Sequence, residues 1–378
     1  MSLKALGETA RFINGAAFKP ADWEDGGLPI IRIQNLTGTG EKFNFTSRQV
    51  KPELVVEPGD LLVSWSATLD VYRWSGPRGV LNQHIFKVLP NSGIDPDYLF
   101  YALKSALAEL SAKTHGSTMK HVVRGDFEST QVHMPSLAEQ RRIVDILSRA
   151  DGIVRLRRDA ENKVAELIPA LFLDMFGDPA TNPRSWPMAT VGDVIESADY
   201  GSSTKSSDDG SGLPLIRMGN VDFEGTLNLT ALKFVNLMDS DAEKYRLRDG
   251  DILFNRTNSK DLVGKTGLWS DEREAVFASY FIRLRVDRDR LHPSYLWAFM
   301  NSRHMKRVLF DTARGAIGQA NINSKELKAF PVAVPPLTIQ QSYATRLADI
   351  RSIQSQQAGA TATAQATFDA LLAQVFTR

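Results

Sequence analysis

Four polar stretches hold the side chains best suited to chemistry. In the first half of the chain "SWSATLDVYRW" offers Ser64, Ser66, Thr68, Tyr72 and Arg73, and "KTHGSTMKHVVR" offers Lys113, His115, Ser117, Thr118, Lys120, His121 and Arg124. In the second half "NRTNSKDLVGKTG" offers Asn255, Arg256, Thr257, Asn258, Ser259, Lys260 and Lys265, and "ARGAIGQANINSK" offers Arg314, Gln319, Asn321 and Asn323. Lys205 stands apart in the Gly- and Ser-rich run "DYGSSTKSSDDGSG". Cations, amides and hydroxyls mixed with small residues suit phosphates and the edges of bases: Arg fits guanine, and Asn or Gln fits adenine, through paired hydrogen bonds. The bland alternative is a set of solvated surface loops.

Other chemistries find less support. His115 and His121 have no carboxylate or Cys partners at ligand spacing, so no metal is expected. "GKTG" lacks the first glycine of a phosphate loop. Asp208 and Asp209 lie in a Ser/Gly loop with no partner in reach of the pattern, and no catalytic centre is visible. The absence of Cys excludes disulfides, thiolate zinc sites and thiol catalysis.

Loops can do this work only on a rigid frame, and the chain writes its frame twice. "LGETARFINGAAFKPADWEDGGLPIIRIQNL" (6–36) is answered by "VGDVIESADYGSSTKSSDDGSGLPLIRMGNV" (191–221), "EPGDLLVSWSATLD" (57–70) by "RDGDILFNRTNSKD" (248–261), "DPDYLFYALKS" (95–105) by "HPSYLWAFMNS" (292–302), and "MPSLAEQRRIVDIL" (134–147) by "VPPLTIQQSYATRL" (334–347). In each copy "LPIIRI"/"LPLIRM" and the run after Gly-Asp in "GDLLVSW"/"GDILFNR" read as strands, while Pro at the start of a 3.6-period pattern marks a helix. Arg32 and Arg217, equivalent in the two copies, are expected to serve the scaffold by pairing with the Asp of the Gly-Asp turn.

Each copy runs on into a long helix. In the first, Ser136 and Glu139 form a capping-box pattern, and Gly177 with Pro179 and Pro183 marks the end. Ile143, Ala150, Val164 and Leu171 fall on one heptad position and Ile146, Ile153, Ala160 and Leu167 on the other, with Leu147, Val154 and Ile168 widening the stripe. The second helix is apolar at its ends, including Leu347, Ile350, Phe368 and Leu371, and small and polar in its middle, where Gly359 weakens it. Small residues allow close approach, so the two helices are expected to pair antiparallel, about a pseudo two-fold axis. The expected class is therefore α+β: a first mixed domain at 1–135, a long helix at 136–178, a second mixed domain at 179–335 and a long helix at 336–378.

Bulk numbers set outer limits. The 378 residues exceed one ordinary core, and 43% hydrophobic with 24% charged residues is the composition of a globular protein. Nothing in "MSLKALGETA" or elsewhere reads as a signal peptide or membrane span, so a cytoplasmic chain is expected. A net charge of +1, with 14 basic and 14 acidic residues in 1–135, excludes a binder that holds DNA by bulk charge. A site-selective reader remains possible: two unlike heads on a stiff spacer suit a target with two separated half-sites, since readers on one face of a duplex sit roughly 34 Å or a multiple apart.

At this point the chain resembles a known family. The order of head, "PSLAEQRRI" helix, head and "PPLTIQQ" helix, with Glu139-Gln140 and Gln340-Gln341 at the junctions and the two Gly-Asp strands, is similar to the specificity subunits of type I restriction-modification systems, over the whole chain. Ile339 departs from the acidic residue usual there. The resemblance implies a non-catalytic subunit whose two target recognition domains each read half of a split, asymmetric duplex DNA sequence. It implies that the helices dock two methyltransferase subunits, that S-adenosylmethionine binds those subunits and no cofactor binds this chain, and that motor-nuclease subunits can join. The holoenzyme would methylate adenine, but this chain carries neither an Asn/Asp-Pro-Pro-Tyr/Phe motif nor a glycine-rich cofactor turn. A repeat-built protein-protein scaffold is the alternative.

Overall fold

A computed structural model describes residues 2–40, 42–66, 68–113, 123–313 and 319–376. The chain divides into two compact units, Met1–Asp159 with Gly359–Arg378, and Ala160–Ala358.

In the first unit a four-stranded antiparallel sheet runs in the order Ala10–Asn14, Ile85–Pro90, Leu61–Ser64, Asp70–Arg73. The central strand Leu61–Ser64 is buried throughout, without the alternation of a half-exposed strand, because it is covered on both faces. Leu61 and Val63 join the cluster containing Tyr98, Leu99 and Phe127, whereas Leu62 joins Ile31, Val56, Trp74, Leu81 and Ile85. Those last residues come largely from a second sheet, ordered Asn44–Thr46, Leu28–Ile31, Gly79–Leu81, Val55–Val56, in which Leu28–Ile31 and Gly79–Leu81 are parallel.

The second unit repeats the plan. Its main sheet is ordered Ile195–Tyr200, Phe281–Val286, Ile252–Asn255, Thr266–Leu268, and its second sheet Lys233–Val235, Leu213–Ile216, Val276–Phe277, again with one parallel pair. Ile252 and Phe254 face one cluster and Leu253 the other. The expected single helix over "HPSYLWAFMNSRHMKRVL" is instead two, Pro293–Met300 and Arg303–Thr312, because the Ser302 hydroxyl accepts from Met305 N (3.2 Å) and starts the second. Its counterpart Pro96–Lys113 is continuous.

The repeated residues explain themselves as internal ties. Gln140 and Gln340 are buried; each accepts from the backbone just before a head helix (Asp95 N and His292 N, both 2.8 Å) and donates to a proline carbonyl (Pro135 O, 2.9 Å; Pro335 O, 2.7 Å). Tyr98 and Tyr295 donate to His133 O (2.7 Å) and Ala333 O (2.8 Å). Asn35 and Asn220 close the turn after the "LPIIR" strand by accepting from Arg32 N (3.0 Å) and Arg217 N (2.9 Å). The Asp of each Gly-Asp turn is paired, but not with the expected arginine: Asp60 meets Lys87 (2.6 Å), and Asp251 meets Arg285 (2.9 Å) and Arg283 (3.9 Å), all from the neighbouring strand. Arg32 instead lies over Trp23 (4.7 Å) and donates to Asn44, while the Arg217 Nε is buried without a hydrogen-bond partner.

Both long helices have 40 residues, Leu137–Phe176 and Leu337–Phe376, and Gly359 does not break the second. Within the first unit Arg158 donates to Gln365 (2.8 Å), and Phe376 packs on Tyr98 (5.3 Å between ring centres), so the two helices run antiparallel there. Within the second unit Phe172 and Phe176, near the end of the first helix, meet Tyr343, near the start of the second, with Phe176 and Tyr343 5.3 Å apart. Gly177 ends the first helix with φ +82°, and Arg184 and Trp186 donate to the last carbonyls, Asp174 O (2.6 Å) and Phe176 O (3.0 Å).

Two details of the helix reading need correction. The capping box is half made: Ser136 accepts weakly from Glu139 N (3.4 Å), but the Glu139 carboxylate turns to Arg142 (2.8 Å). The inward stripe keeps part of its expected course and loses one row: Ile143, Leu147 and Val154 are buried, as are Phe172 and Phe176, whereas Ile146 (42% exposed), Ile153 (53%) and Leu167 (46%) are not. A 3.6-residue turn packed on a globular body drifts off a strict heptad, which moves the second contact row by one residue. Val164, Leu171, Ile350 and Leu371 are half-buried, and Leu347 and Phe368 are buried.

Candidate nucleic-acid interface

In each unit the strand ends nearest the central strand's C-terminus gather three side chains. In the second unit Tyr200 ends its strand, Arg256 follows the central strand, and Tyr280 precedes the third; Arg256 N donates to Tyr280 O (2.9 Å), and Ile322 N donates to Arg256 O (2.9 Å). The Arg256 guanidinium lies 4.9 Å from the centre of the Tyr200 ring, its Nε is buried without a partner, and Tyr200 Oη accepts from Ser324 N (3.0 Å). Tyr200 and Tyr280 are 43% and 44% exposed, open enough to meet a ligand.

The first unit has Asn14, Trp65 and His84 at the same places, with Trp65 N donating to His84 O (3.2 Å). The Trp65 indole donates to Asn14 Oδ1 (3.2 Å) and packs against His84 (5.0 Å) and Phe86 (5.7 Å, stacked). His84 takes φ +73°, a left-handed conformation that few residues other than Gly, Asn, Asp and His adopt.

Beside Arg256 the second unit builds a two-stranded ribbon from Thr257–Ser259 and Gln319–Asn321. The Thr257 hydroxyl donates to Asn321 Oδ1 (3.1 Å), Asn258 Oδ1 accepts from Ser259 N (2.8 Å), and the Lys260 ammonium sits over Phe310 (4.3 Å). Arg256, Thr257, Asn258, Ser259, Lys260 and Asn321 are thus brought together. Lys205 is exposed on the loop after Tyr200, and Ser66 and exposed Thr68 follow Trp65.

Other expected readers spend their polar atoms on groups of the protein itself, some buried and some at the surface. Ser64 is buried and its hydroxyl donates to Thr68 O; Asn255 is buried inside its sheet with both amide atoms unpartnered. Lys265 is also buried, its ammonium held by Met218 O (2.8 Å) and Val221 O, and burial pushes its pKa down. Ser64 and Asn255 lie in strands closed on both faces and Lys265 sits just before the strand Thr266–Leu268, so the polar atoms of all three serve the interior. Asn323 caps the helix Ser324–Ala329, accepting from Lys325 N (2.9 Å) and Glu326 N (3.0 Å). Arg124 donates to Glu128 (2.8 Å) and Phe12 O (3.1 Å). Tyr72 and Arg73 lie toward the opposite end of the sheet; Tyr72 packs on the inner cluster, where burial raises its pKa, and Arg73 pairs with Asp97 and Gly59 O (3.1 Å). His115, Ser117, Thr118, Lys120, His121 and Arg314 lie outside the described residues, as do the side chains of Lys113 and Gln319.

Sequence reasoning missed Tyr200, Tyr280, Asn14, Trp65 and His84. Aligned copies held the signal, since "GDLLVSW" and "GDILFNR" differ most at their last two residues.

Comparison with known proteins decides the family. The model of the type I restriction modification DNA specificity domain matches residues 1–166 and again 183–359. The chain belongs to the type I DNA specificity family. It is 22% identical over 406 residues to the type I restriction enzyme EcoBI specificity subunit of Escherichia coli, covering 98% of this chain and 84% of that one. The fold is similar to a type I restriction-modification S subunit from M. genitalium (TM-score 0.53, 14% identity, 99% and 96% of the two chains). It is also similar to a chain from a study of complex assembly and conformational transition in a type I system (TM-score 0.56, 18% identity, 99% and 97%). The two matches of the specificity-domain model fall on the two copies of the repeat. Among the described residues no group of three or more His, Asp or Glu is placed to hold a metal, and no helix is long and apolar enough to cross a membrane.

Proposed function

We propose that this specificity-family chain is the DNA-recognition subunit of a type I restriction-modification complex, each head reading one half of a split, asymmetric duplex target. One observation carries the reading: two heads with the same internal ties present different side chains at the same strand ends, Asn14, Trp65 and His84 against Tyr200, Arg256 and Tyr280. A frame held constant under a varied surface is what two different half-sites require.

The long helices are proposed to dock two methyltransferase subunits, which bring S-adenosylmethionine and methylate adenine; motor-nuclease subunits join for cleavage. In the first unit Ile146, Ile153 and Leu156 (71%) stand exposed on the first helix, and in the second unit Leu167 and Leu173 (49%) do. Large apolar residues left in solvent on a helix face fit a partner that covers them. The chain supplies recognition and no catalytic group of its own.

The test is a gel-shift series over salt with and without the methyltransferase subunit. DNA reading predicts selective, salt-dependent binding by the assembly. Binding that shows no sequence preference at any salt would favour a protein-protein scaffold.

A further inference from the structure

We propose that the residue following the central strand determines specificity in each head, that Arg256 reads a guanine in one half-site, and that Tyr200 is the positioning residue holding its guanidinium. The proposal rests on the reading of the heads as DNA-recognition modules and adds the residue and the base.

Trp65 and Arg256 are the same position in two copies of one fold. Each follows the central strand, and each donates its backbone N–H to the residue that precedes the neighbouring strand, His84 or Tyr280. Their chemistry differs completely. Arg283 and Arg285, on the strand beside the central one, are tied to Asp199 and Asp251 at 2.9 Å. No carboxylate or carbonyl among the described residues bonds the Arg256 side chain, and its Nε is buried without a partner. Its charge is therefore left for a ligand.

The Tyr200 ring limits how that ligand is met. Its hydroxyl is anchored by Ser324 N (3.0 Å), so the ring is a fixed plate beneath the guanidinium. A guanidinium stacked on a ring keeps its edge donors available in their rigid fork. Two acceptors side by side on one base edge of the major groove belong to guanine, its O6 and N7. Phosphate offers two acceptors as well, and the experiment separates the two. In the other head the Trp65 N–H is already given to Asn14, which leaves an apolar ring face and no fork. That position suits stacking or a thymine methyl, so matched places in the two heads read unlike bases.

The test assembles the full chain with its methyltransferase subunits and maps adenine methylation across a library randomised in both half-sites, for the unmodified chain and for Arg256→Ala, Arg256→Gln, Tyr200→Ala and Tyr200→Phe. Arg256→Ala should lose on the order of 10- to 100-fold discrimination at one G·C position of one half-site, leaving the other half-site intact. Arg256→Gln should move the preference there toward adenine, a gain that no folding defect produces. Tyr200→Ala should relax the same position, and Tyr200→Phe, which keeps the ring and loses its tie to Ser324 N, should restore part of it. A uniform loss across all sequences with a shallower salt dependence would make Arg256 a phosphate contact and overturn the proposal, as would unchanged preferences or relaxation at several positions. An unmodified assembly that methylates without sequence preference would instead remove the recognition reading on which the proposal stands.

Discussion

Gln340→Ala isolates the tie that joins the second long helix to its head. The Gln340 amide is fully buried, accepts from His292 N at 2.8 Å and donates to Pro335 O at 2.7 Å. Alanine removes both, together with a longer bond to Arg290 O (3.3 Å); that carbonyl belongs to an exposed residue and rehydrates, which leaves a backbone N–H and the Pro335 carbonyl without partners. Each orphaned group costs about 1–3 kcal/mol, and partial rehydration of the half-buried His292 N–H keeps the sum near the lower half, about 3 kcal/mol. For a unit of this size such a loss lowers Tm by about 6–12 °C. Scanning calorimetry of the purified chain provides the readout, with Gln341→Ala as control, because Gln341 is exposed beside it and should move stability by less than about 0.5 kcal/mol. Gln340→Glu should be no better than alanine, since it deletes the donor and buries a charge. Gln140→Ala should cost a similar amount in the other unit, where Asp95 N and Pro135 O lose the same partners. If Gln340→Ala shifts Tm no more than Gln341→Ala does, the amide is not the clamp that the geometry describes.

Further outcomes follow from the helix faces and the buried charges. Leu147→Asp or Val154→Asp, at buried positions, should destabilise the chain by several kcal/mol in denaturant titrations, whereas Ile146→Asp and Ile153→Asp should leave its stability within about 1 kcal/mol and reduce co-purification of a methyltransferase subunit. Asp251→Asn takes a buried carboxylate (3% exposed) from Arg285 at 2.9 Å and leaves Arg283 with the carboxylate of Asp199 alone, and should cost about 3–5 kcal/mol; Asp60→Asn should cost less, because the Asp60 side chain is 25% exposed. Burial lowers the Lys306 pKa to about 8, below its usual 10.5. The unfolded chain then holds more protons between those values, so this group makes stability rise as pH climbs from about 8 toward 10.5, and the slope should be absent in Lys306→Met when Tm is followed across that range.

The frame was legible because it was written twice. "LPIIRI" and "GDLLVSW" announce strands in both copies, and Leu28–Ile31, Leu61–Ser64 and their counterparts form where the aligned motifs place them. Three-dimensional direction was not legible. Ser64, Asn255 and Lys265 are polar residues in or beside apolar strands, and nothing in a linear string says that a strand will be closed on both faces and turn such groups to the interior. Ile146 and Leu147 are neighbours of like hydrophobicity, so a heptad count and a 3.6-residue helix choose different ones as the buried row, and only the packing partner decides. Trp65, Tyr200 and Tyr280 were missed for the opposite reason: a single aromatic at a strand end reads as core, and its exposure depends on where the sheet stops.

The division between repeated and unrepeated residues separates the bonds that hold each head together from the side chains at the strand ends. Gln140 and Gln340, Tyr98 and Tyr295, and Asn35 and Asn220 are identical pairs in matching bonds, and all are turned toward backbone groups. The Asp60–Lys87 and Asp251–Arg283 pairs keep their charges while changing the cation, which shows how much freedom that inner position allows. At the strand ends the rule reverses: Trp65 and Arg256 share a backbone bond to the neighbouring strand and nothing of their side chains. Since the frame's stability comes from bonds that the strand-end side chains do not make, those side chains are free to be exchanged at little cost in folding. On the proposed function, recognition is then rewritten one head at a time, while the other head and both helices stay as they are.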